Sequence, residues 1–353
     1  MSPRDLGYRT PAEWEPHAAT WLSWPHNQES WPGRFETVEP VYAQMVRTIA
    51  AGETVHINVC DAAMERRAKR FLSDAGAAGD IRFHHVPTND AWCRDHGAIF
   101  VTHDAKGEAG GSTFDLQSPP LAATRWRYNA WGEKYAHDLD DLVAARMAGI
   151  LDVPLFERSI VLEGGSIDVN GAGALLTTEA CLLNPNRNPE LSREQIENEL
   201  REGLGVEEIL WLADGIAGDD TDGHIDDLTR FVAERTVVTV VESNPHDDNF
   251  EPLRENLSRL RSMTVGGRPL EVVELPMPPA IAYDGQRVPA SYANFYITNT
   301  VVLLPGYHRQ TDERAAAILA EHFPGREIVV IDCRDLIWGL GAFHCLTQQV
   351  PAV

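Results

Sequence analysis

Five times along this chain, apolar and β-branched runs give way to a short polar stretch, and the stops are nearly evenly spaced. They begin at Asp90, Glu163, His224, Asn294 and Cys345, with separations of 73, 61, 70 and 51 residues. Each interval carries strand-like runs of period two and a helical pattern of period 3.6. A supersecondary unit repeated in this way cannot bury its apolar face alone, and neighbouring copies bury it for one another. The repeat therefore predicts an α/β fold: a pseudo-fivefold ring of five blades, one domain over residues 1–353, with one polar loop from each blade turned to a common centre. A mixed doubly wound sheet is the competing arrangement.

Local signals fill in the units. Thr54–Cys60 and Ile81–Val86 read as strands, with Asp61 as N-cap of a helix to Ser73 between them. Helices are expected over Phe35–Ala51, Asp138–Ile150, Ser192–Leu204, Asn249–Arg261 and Asp312–His322. Further strands are expected at Ser159–Leu162, Ala174–Thr178, Ile209–Leu212, Phe231–Val241 (as a pair), Leu270–Leu275, Val301–Leu304 and Ile328–Ile331. Ala105–Thr124, rich in Gly, Ser and Pro, reads as a long loop. Gly171-Ala172-Gly173 lacks the dinucleotide spacing and precedes a strand, so a nucleotide-binding turn is rejected.

Charge narrows the partners. Lys and Arg number 30 against 53 Asp and Glu, a net charge of −23. Such a surface repels phosphate backbones, which argues against nucleic acid, and it concentrates small cations. No apolar run is long enough to span a membrane, and no basic and apolar leader opens the chain. Five cysteines without a C-x-x-C pair point to reduced thiols in a cytoplasm, with neither a disulfide framework nor a structural zinc site. A homo-oligomer is compatible with all of this.

Cys345 lies in Gly339-Leu340-Gly341-Ala342-Phe343-His344-Cys345, where glycines allow a tight bend or a close approach. It reads either as a core thiol or as a nucleophile. Glu163 precedes Gly164-Gly165 at a strand end, a favourable place for a catalytic acid. In Asp222-Gly223-His224-Ile225-Asp226, an extended chain turns Asp222, His224 and Asp226 to one face. In the loop Thr88–Gly97, Asp90 beside Trp92 is the better candidate for holding a cation. Asp95 beside Arg94 reads as structural, a loop ion pair or backbone acceptor. His344, in an extended run, points away from Cys345 and receives no role. Cys60, Cys93, Cys181 and Cys333 have no acid or base partner in the sequence pattern.

Taken together, Asn89-Asp90-Ala91-Trp92-Cys93-Arg94-Asp95, Glu163-Gly164-Gly165, Thr221–Asp226, Ser291-Tyr292-Ala293-Asn294-Phe295 and His344–Gln349 resemble the agmatine deiminases and Porphyromonas-type peptidylarginine deiminases of the guanidine-modifying superfamily. Trp24-Pro25 and Leu183–Pro189 extend the match over nearly the whole chain. The resemblance implies the pentein fold, a five-bladed α/β propeller, with no cofactor and no metal. It implies that Asp90 and Asp226, with Trp92, hold a small cationic guanidine substrate. By the same resemblance Cys345 attacks its central carbon, His224 acts as acid and then base, and Glu163 orients His224. The chain departs from the usual pattern at Gly97-Ala98, at Leu340 and Ala342-Phe343, and at Asp222. These departures bear on the substrate: agmatine, giving N-carbamoylputrescine for putrescine and polyamine synthesis, stands first, and peptidyl or free arginine second.

Three other readings compete. A metal-dependent ureohydrolase could use Asp222-x-His224-x-Asp226, but a dimetal centre needs a second acidic run, and Asp138-Leu139-Asp140 lacks its third acid. An amidinotransferase would share the fold and the intermediate. A non-catalytic binding module has no use for a thiol, an imidazole and carboxylates together.

Overall fold

The computed structural model describes residues 1–103 and 119–353. Among the described residues are five separate sheets built to one plan, plus two short hairpins. In each, a central strand has one antiparallel and one parallel neighbour, and a helix crosses over between the two parallel strands. One sheet joins Ile99–Thr102, Leu121–Arg127 and Leu155–Val161 through the helix Val143–Leu151. The next joins Asp168–Val169, Ala174–Thr178 and Glu208–Leu212 through Arg193–Leu204. The third comprises Thr229–Ala233, Thr236–Val241 and Glu271–Pro276 with Phe250–Ser262. The fourth comprises Tyr296–Ile297, Val301–Gly306 and Glu327–Asp332 with Arg309–His322.

The fifth unit combines residues 17–59 with residues 347–351. His17–Ser23 pairs parallel with Thr54–Val59 across the helix Phe35–Ala50, and antiparallel with Thr347–Pro351. Neither His17–Ser23 nor Thr347–Pro351 stands out as a strand in the sequence. A second crossover, the helix Ala62–Asp74, adds Ile81–His85 to this sheet. Asp61 caps that helix as expected, accepting from the N–H groups of Ala63 and Met64.

The crossover helices are amphipathic for a physical reason. Val38, Tyr42, Met45, Val46 and Ile49 recur at helical spacing and are all buried, while the opposite face carries charge. Trp21, Trp24 and Trp31 are at most 1% exposed. At roughly 150–250 Å² per aromatic side chain and about 25 cal/mol per Å², each contributes about 4–6 kcal/mol of burial, before entropy is counted.

Two readings need correction. Leu121–Thr124, expected in a loop, begins a strand; Ala122, Ala123 and Thr124 are buried in the sheet. Of the rest of that expected loop, residues 105–118 lie outside the described residues. The loop Thr88–Gly97 contains a helical turn, Cys93–His96. No helix among the described residues is long and apolar enough to cross a membrane.

The repeat explains where chemistry collects. Each polar stretch immediately precedes the first, antiparallel strand of a sheet. Asp95 leads into Ile99, Glu163 into Asp168, Asp226 into Thr229, Asn294 into Tyr296 and Cys345 into Thr347.

Candidate active site

Four of these lead-ins are single helical turns: Cys93–His96, Gly164–Ser166, Ile225–Asp227 and Phe343–Leu346. A turn of this kind aims consecutive side chains in different directions, unlike the extended run expected for Asp222–Asp226 and for His344. Asp222 therefore leaves the group. Its carboxylate accepts from Arg187 Nη1 at 2.6 Å and Asn186 Nδ2 at 2.9 Å, and it pairs with Lys134 at 3.0 Å. His224 and Asp226 turn inward and are fully buried.

His224 Nδ1 lies 3.8 Å from Asp95 Oδ1 and 4.0 Å from Asp226 Oδ1. Gly165 makes this convergence possible. A Cβ there would stand 2.6 Å from His224 Nδ1, 2.7 Å from Asp95 Oδ1 and 3.1 Å from Asp226 Oδ2. Its N–H also donates to Asp95 Oδ1 at 2.9 Å, and Trp131 Nε1 donates to Asp95 Oδ2 at 3.0 Å. Asp95 is thus a backbone acceptor, as its sequence context suggested, but it also faces His224. Arg94, its chain neighbour, pairs instead with Glu13 at 3.3 Å.

Cys345 Sγ donates toward Asp226 Oδ2 at 3.6 Å and accepts from Asn294 Nδ2 at 3.0 Å. The ring of His344 lies between two carboxylates, with Nδ1 2.7 Å from Asp226 Oδ2 and Nε2 2.9 Å from Glu13 Oε2. His344 thus braces Asp226, a contact the sequence reading missed because the segment is a helical turn. Glu13 in turn pairs with Arg230 at 2.9 Å. No pattern in the sequence marks Glu13.

Glu163 Oε1 accepts from Arg187 Nε at 2.6 Å. One atom each from Glu163, Cys181 and the His224 ring lie within 4.8 Å of one another, a donor set able to hold a soft metal ion. Cys181 is therefore not remote from the acids and bases. Cys60 also has a base neighbour, His26 Nε2 at 3.7 Å. Four buried atoms of the central side chains have no hydrogen-bond partner among the described residues: Glu163 Oε2, both ring nitrogens of His224, and Asp226 Oδ1. Unsatisfied groups at this density in a core are characteristic of a site that is completed by a ligand.

Asp90 stands apart from this group. Its Oδ2 accepts from Ser30 Oγ and from Asn27 Nδ2, and its Oδ1 from the Ala91 N–H at 2.7 Å. Asp226 is not among its partners. Asp90 instead lines a cavity of about 240 Å³, together with Glu29, Asp95, Asp220, Trp92 and Trp131. Of the described residues lining that cavity, none is Arg or Lys. Trp92 packs on Trp31 with ring centroids 5.4 Å apart. Gly341 lets it approach the thiol, since a Cβ at Gly341 would lie 2.5 Å from the Trp92 ring and 3.1 Å from Cys345 Cβ.

The electrostatics follow from burial and this ring of acids. Burial opposes a charge on His224, but Asp95, Cys181 and Asp226 outweigh it and raise its pKa well above the usual value. Burial, then Asp226, Asp227 and Asp95, push the Cys345 thiol well above its usual range. Burial also raises Asp90 and Asp95. Asp226 is pulled down despite its burial, because His344 and His224 favour its charge. These directions favour the protonated form of the His224 imidazole and the neutral form of the Cys345 thiol.

A family model described as Porphyromonas-type peptidyl-arginine deiminase matches residues 9–351. A protein of Legionella pneumophila (strain Paris), named provisionally as an agmatine deiminase, is 36% identical over 99% of this chain and 97% of its own. The agmatine deiminase of Enterococcus faecalis superposes with a TM-score of 0.90 at 32% identity, covering 99% of this chain and 97% of that one. A Cys-to-Ser variant of the C. jejuni agmatine deiminase with substrate bound superposes with a TM-score of 0.85 at 29% identity, covering 97% and 96%.

Proposed function

The chain belongs to the Porphyromonas-type peptidyl-arginine deiminase family and shares its mixed α/β pentein fold, and from that premise we propose that it hydrolyses agmatine to N-carbamoylputrescine and ammonia. We read the five sheets as blades of a closed ring whose centre is the cluster around His224. Its five free cysteines suit a reducing cytoplasm.

The observation that carries the substrate is the cavity itself: four acids, Glu29, Asp90, Asp95 and Asp220, and no Arg or Lys among the described lining residues. Agmatine is a dication; arginine adds a carboxylate, for which the described lining residues offer no cationic side chain. Arg94, Arg187 and Arg309 have partners of their own. Arg94 pairs with Glu13, Arg187 with Glu163 and Asp222, and Arg309 with Glu313 at the surface.

The geometry favours Asp95 and Asp226, not Asp90 and Asp226, as the pair that holds the guanidinium. Both approach His224 Nδ1, and Asp226 Oδ1 has a free acceptor. Asp90 and Trp92 then line the substrate's outer part. The guanidinium brings positive charge against Asp226, so the Cys345 S–H proton leaves to water and the electron pair stays on sulfur. The thiolate adds to the central carbon to give a neutral tetrahedral adduct. Protonated His224 gives its proton to one NH2, the C–N bond breaks, and ammonia leaves a cationic S-alkylthiouronium. Neutral His224 then takes a proton from water while the oxygen adds to carbon. Breaking the C–S bond returns the thiolate and yields the ureido product, and the excess proton departs with ammonia as ammonium. Glu163, within reach of His224 and tied to Arg187, keeps the imidazole in place.

The test is kcat/KM for agmatine, arginine and a peptide ending in Arg, at low and moderate salt, with Cys345→Ser as control. Agmatine leads, its lead shrinks as salt screens the acidic cavity, and Cys345→Ser is inactive while folded. Mass spectrometry of quenched wild type finds the thiouronium on the Cys345 peptide. Better turnover of arginine at both salts refutes the substrate; an active Cys345→Ser refutes the mechanism.

A further inference from the structure

Behind the reaction centre, three side chains from three segments meet, and the proposed reaction employs only two of them. One atom each of Glu163, Cys181 and the His224 ring lie within 4.8 Å of one another, and all three residues are fully buried. We propose that this trio is an inhibitory metal site, which takes up zinc or another thiophilic divalent ion and so withdraws His224 from the chemistry. The inhibition rests on the deiminase reading above; the binding does not.

The donor types fit. A carboxylate, a thiolate and an imidazole are the ligands zinc selects, and three protein donors leave its fourth tetrahedral position to water. Among the described residues no other group of three Cys, His or acidic side chains meets that spacing. The trio also has unused capacity. Glu163 Oε1 accepts from Arg187 Nε at 2.6 Å, while Glu163 Oε2 and both ring nitrogens of His224 are buried with no hydrogen-bond partner among the described residues. Buried polar atoms without partners point to a ligand that completes them.

The donors are held relative to one another by the backbone. Cys181 lies on the turn Glu179–Leu182, whose cap Thr178 accepts from the Cys181 N–H at 3.2 Å. The same hydroxyl donates to the Gly223 carbonyl at 2.6 Å. Arg187, which holds Glu163, also donates to the Thr221 carbonyl at 2.8 Å. Both ties end on the stretch just before His224. The cavity supplies the way in: Asp95 lines it and approaches His224 Nδ1 to 3.8 Å, and its acids draw cations inward.

Binding balances in protons and charge. The Cys181 S–H proton and one ring proton of His224 pass to solvent, and the electron pairs left on sulfur and nitrogen form the bonds to the ion. Thiolate and carboxylate then neutralise the divalent charge beside Arg187. Burial and Glu163 keep the Cys181 thiol protonated, against His224 and Arg187. Asp95, Cys181 and Asp226 keep His224 protonated despite its burial. Affinity therefore rises with pH, and about two protons are released per ion.

Cadmium, whose bonds to thiolate absorb in the ultraviolet, reads the site without turnover. Wild type, Cys345→Ala and Cys60→Ser should show the sulfur-to-cadmium band on titration, and Cys181→Ala should lose it. Zinc affinity, measured against a chromophoric chelator, should fall about a hundredfold or more in Cys181→Ala, because loss of a group that merely supports a ligand already costs about 10–100-fold. Zinc should stop turnover of agmatine by wild type, and EDTA should restore it. A band lost in Cys345→Ala but kept in Cys181→Ala overturns the proposal, since the ion then sits on the nucleophile. Unchanged zinc affinity in a folded Cys181→Ala overturns it too, as does full turnover by zinc-loaded enzyme. If Cys181→Ala does not fold, the double variant Cys60→Ser/Cys345→Ala decides: the band must survive there, and its loss overturns the assignment. Wild type inactive on every guanidine substrate, with the Cys181-dependent band present, would sink the proposed function and leave the metal site. Normal turnover with no such band would do the reverse.

Discussion

Replacing Asp95 by Asn deletes one charge from the pair flanking His224 and changes little in shape. At 3.8 Å from His224 Nδ1, that charge interacts with a cation by about 4 kcal/mol at an effective dielectric of about 20. Removing one partner of a buried ion pair costs about 3–5 kcal/mol, because the other is left without its counter-charge. At about 1.4 kcal/mol per decade, kcat/KM for agmatine should fall more than about a hundredfold. Asn can still accept from the Gly165 N–H, so Asp95→Asn should fold, which circular dichroism checks. Asp90→Asn is the comparison. Asp90 is held by Ser30, Asn27 and the Ala91 N–H at the outer part of the cavity. Its loss should cost about 1 kcal/mol, about fivefold, expressed in KM. Steady-state kinetics with colorimetric detection of the ureido group separates the two. If Asp95→Asn keeps more than a tenth of wild-type activity while Asp90→Asn loses a hundredfold, the geometric argument fails and the clamp is Asp90 with Asp226.

Asp95 is also the leading charge that raises His224 against its burial. His224 must carry a proton when ammonia leaves, so wild type loses activity only as pH climbs through that raised pKa. Asp95→Asn should move the alkaline limb of kcat to lower pH, and an unmoved limb removes His224 from the acid role. Gly165→Ala would put a Cβ 2.6 Å from His224 Nδ1 and 2.7 Å from Asp95 Oδ1. The two groups must then separate by most of an ångström, and a displacement of that size costs about a hundredfold in rate; full activity would show that their spacing is immaterial. Glu13→Gln strips the anion shared by Arg230, Arg94 and His344. Urea denaturation should report a loss of about 3–5 kcal/mol, and an unchanged midpoint would mean that the buried network contributes nothing to stability.

The crossover helices and most central strands could be placed from the sequence because their signals are local. An amphipathic stripe such as Val38, Tyr42, Met45 and Ile49, or a cap such as Asp61, is complete within a few residues. The even spacing of Asp90, Glu163, His224, Asn294 and Cys345 carried the five-unit plan, since every unit must turn its chemistry at the same point. Cys345, His224, Glu163 and Asp226 stand out in the sequence, and the fold brings them into one buried neighbourhood.

Three things depended on contacts between distant segments. The pairing of His17–Ser23 with Thr347–Pro351 joins strands more than three hundred residues apart, and neither strand has a pattern strong enough to announce it. The choice of Asp95 over Asp90 as a neighbour of His224 depends on the single turn at Cys93–His96, which rotates one carboxylate inward while Asp90, before the turn, faces the outer cavity. The same geometry placed His344 against Asp226 and turned Asp222 away toward Arg187. Residue type and spacing determine which groups are available for the chemistry. Their directions are decided by a few backbone dihedrals in short turns, and packing between units, not local propensity, selects those.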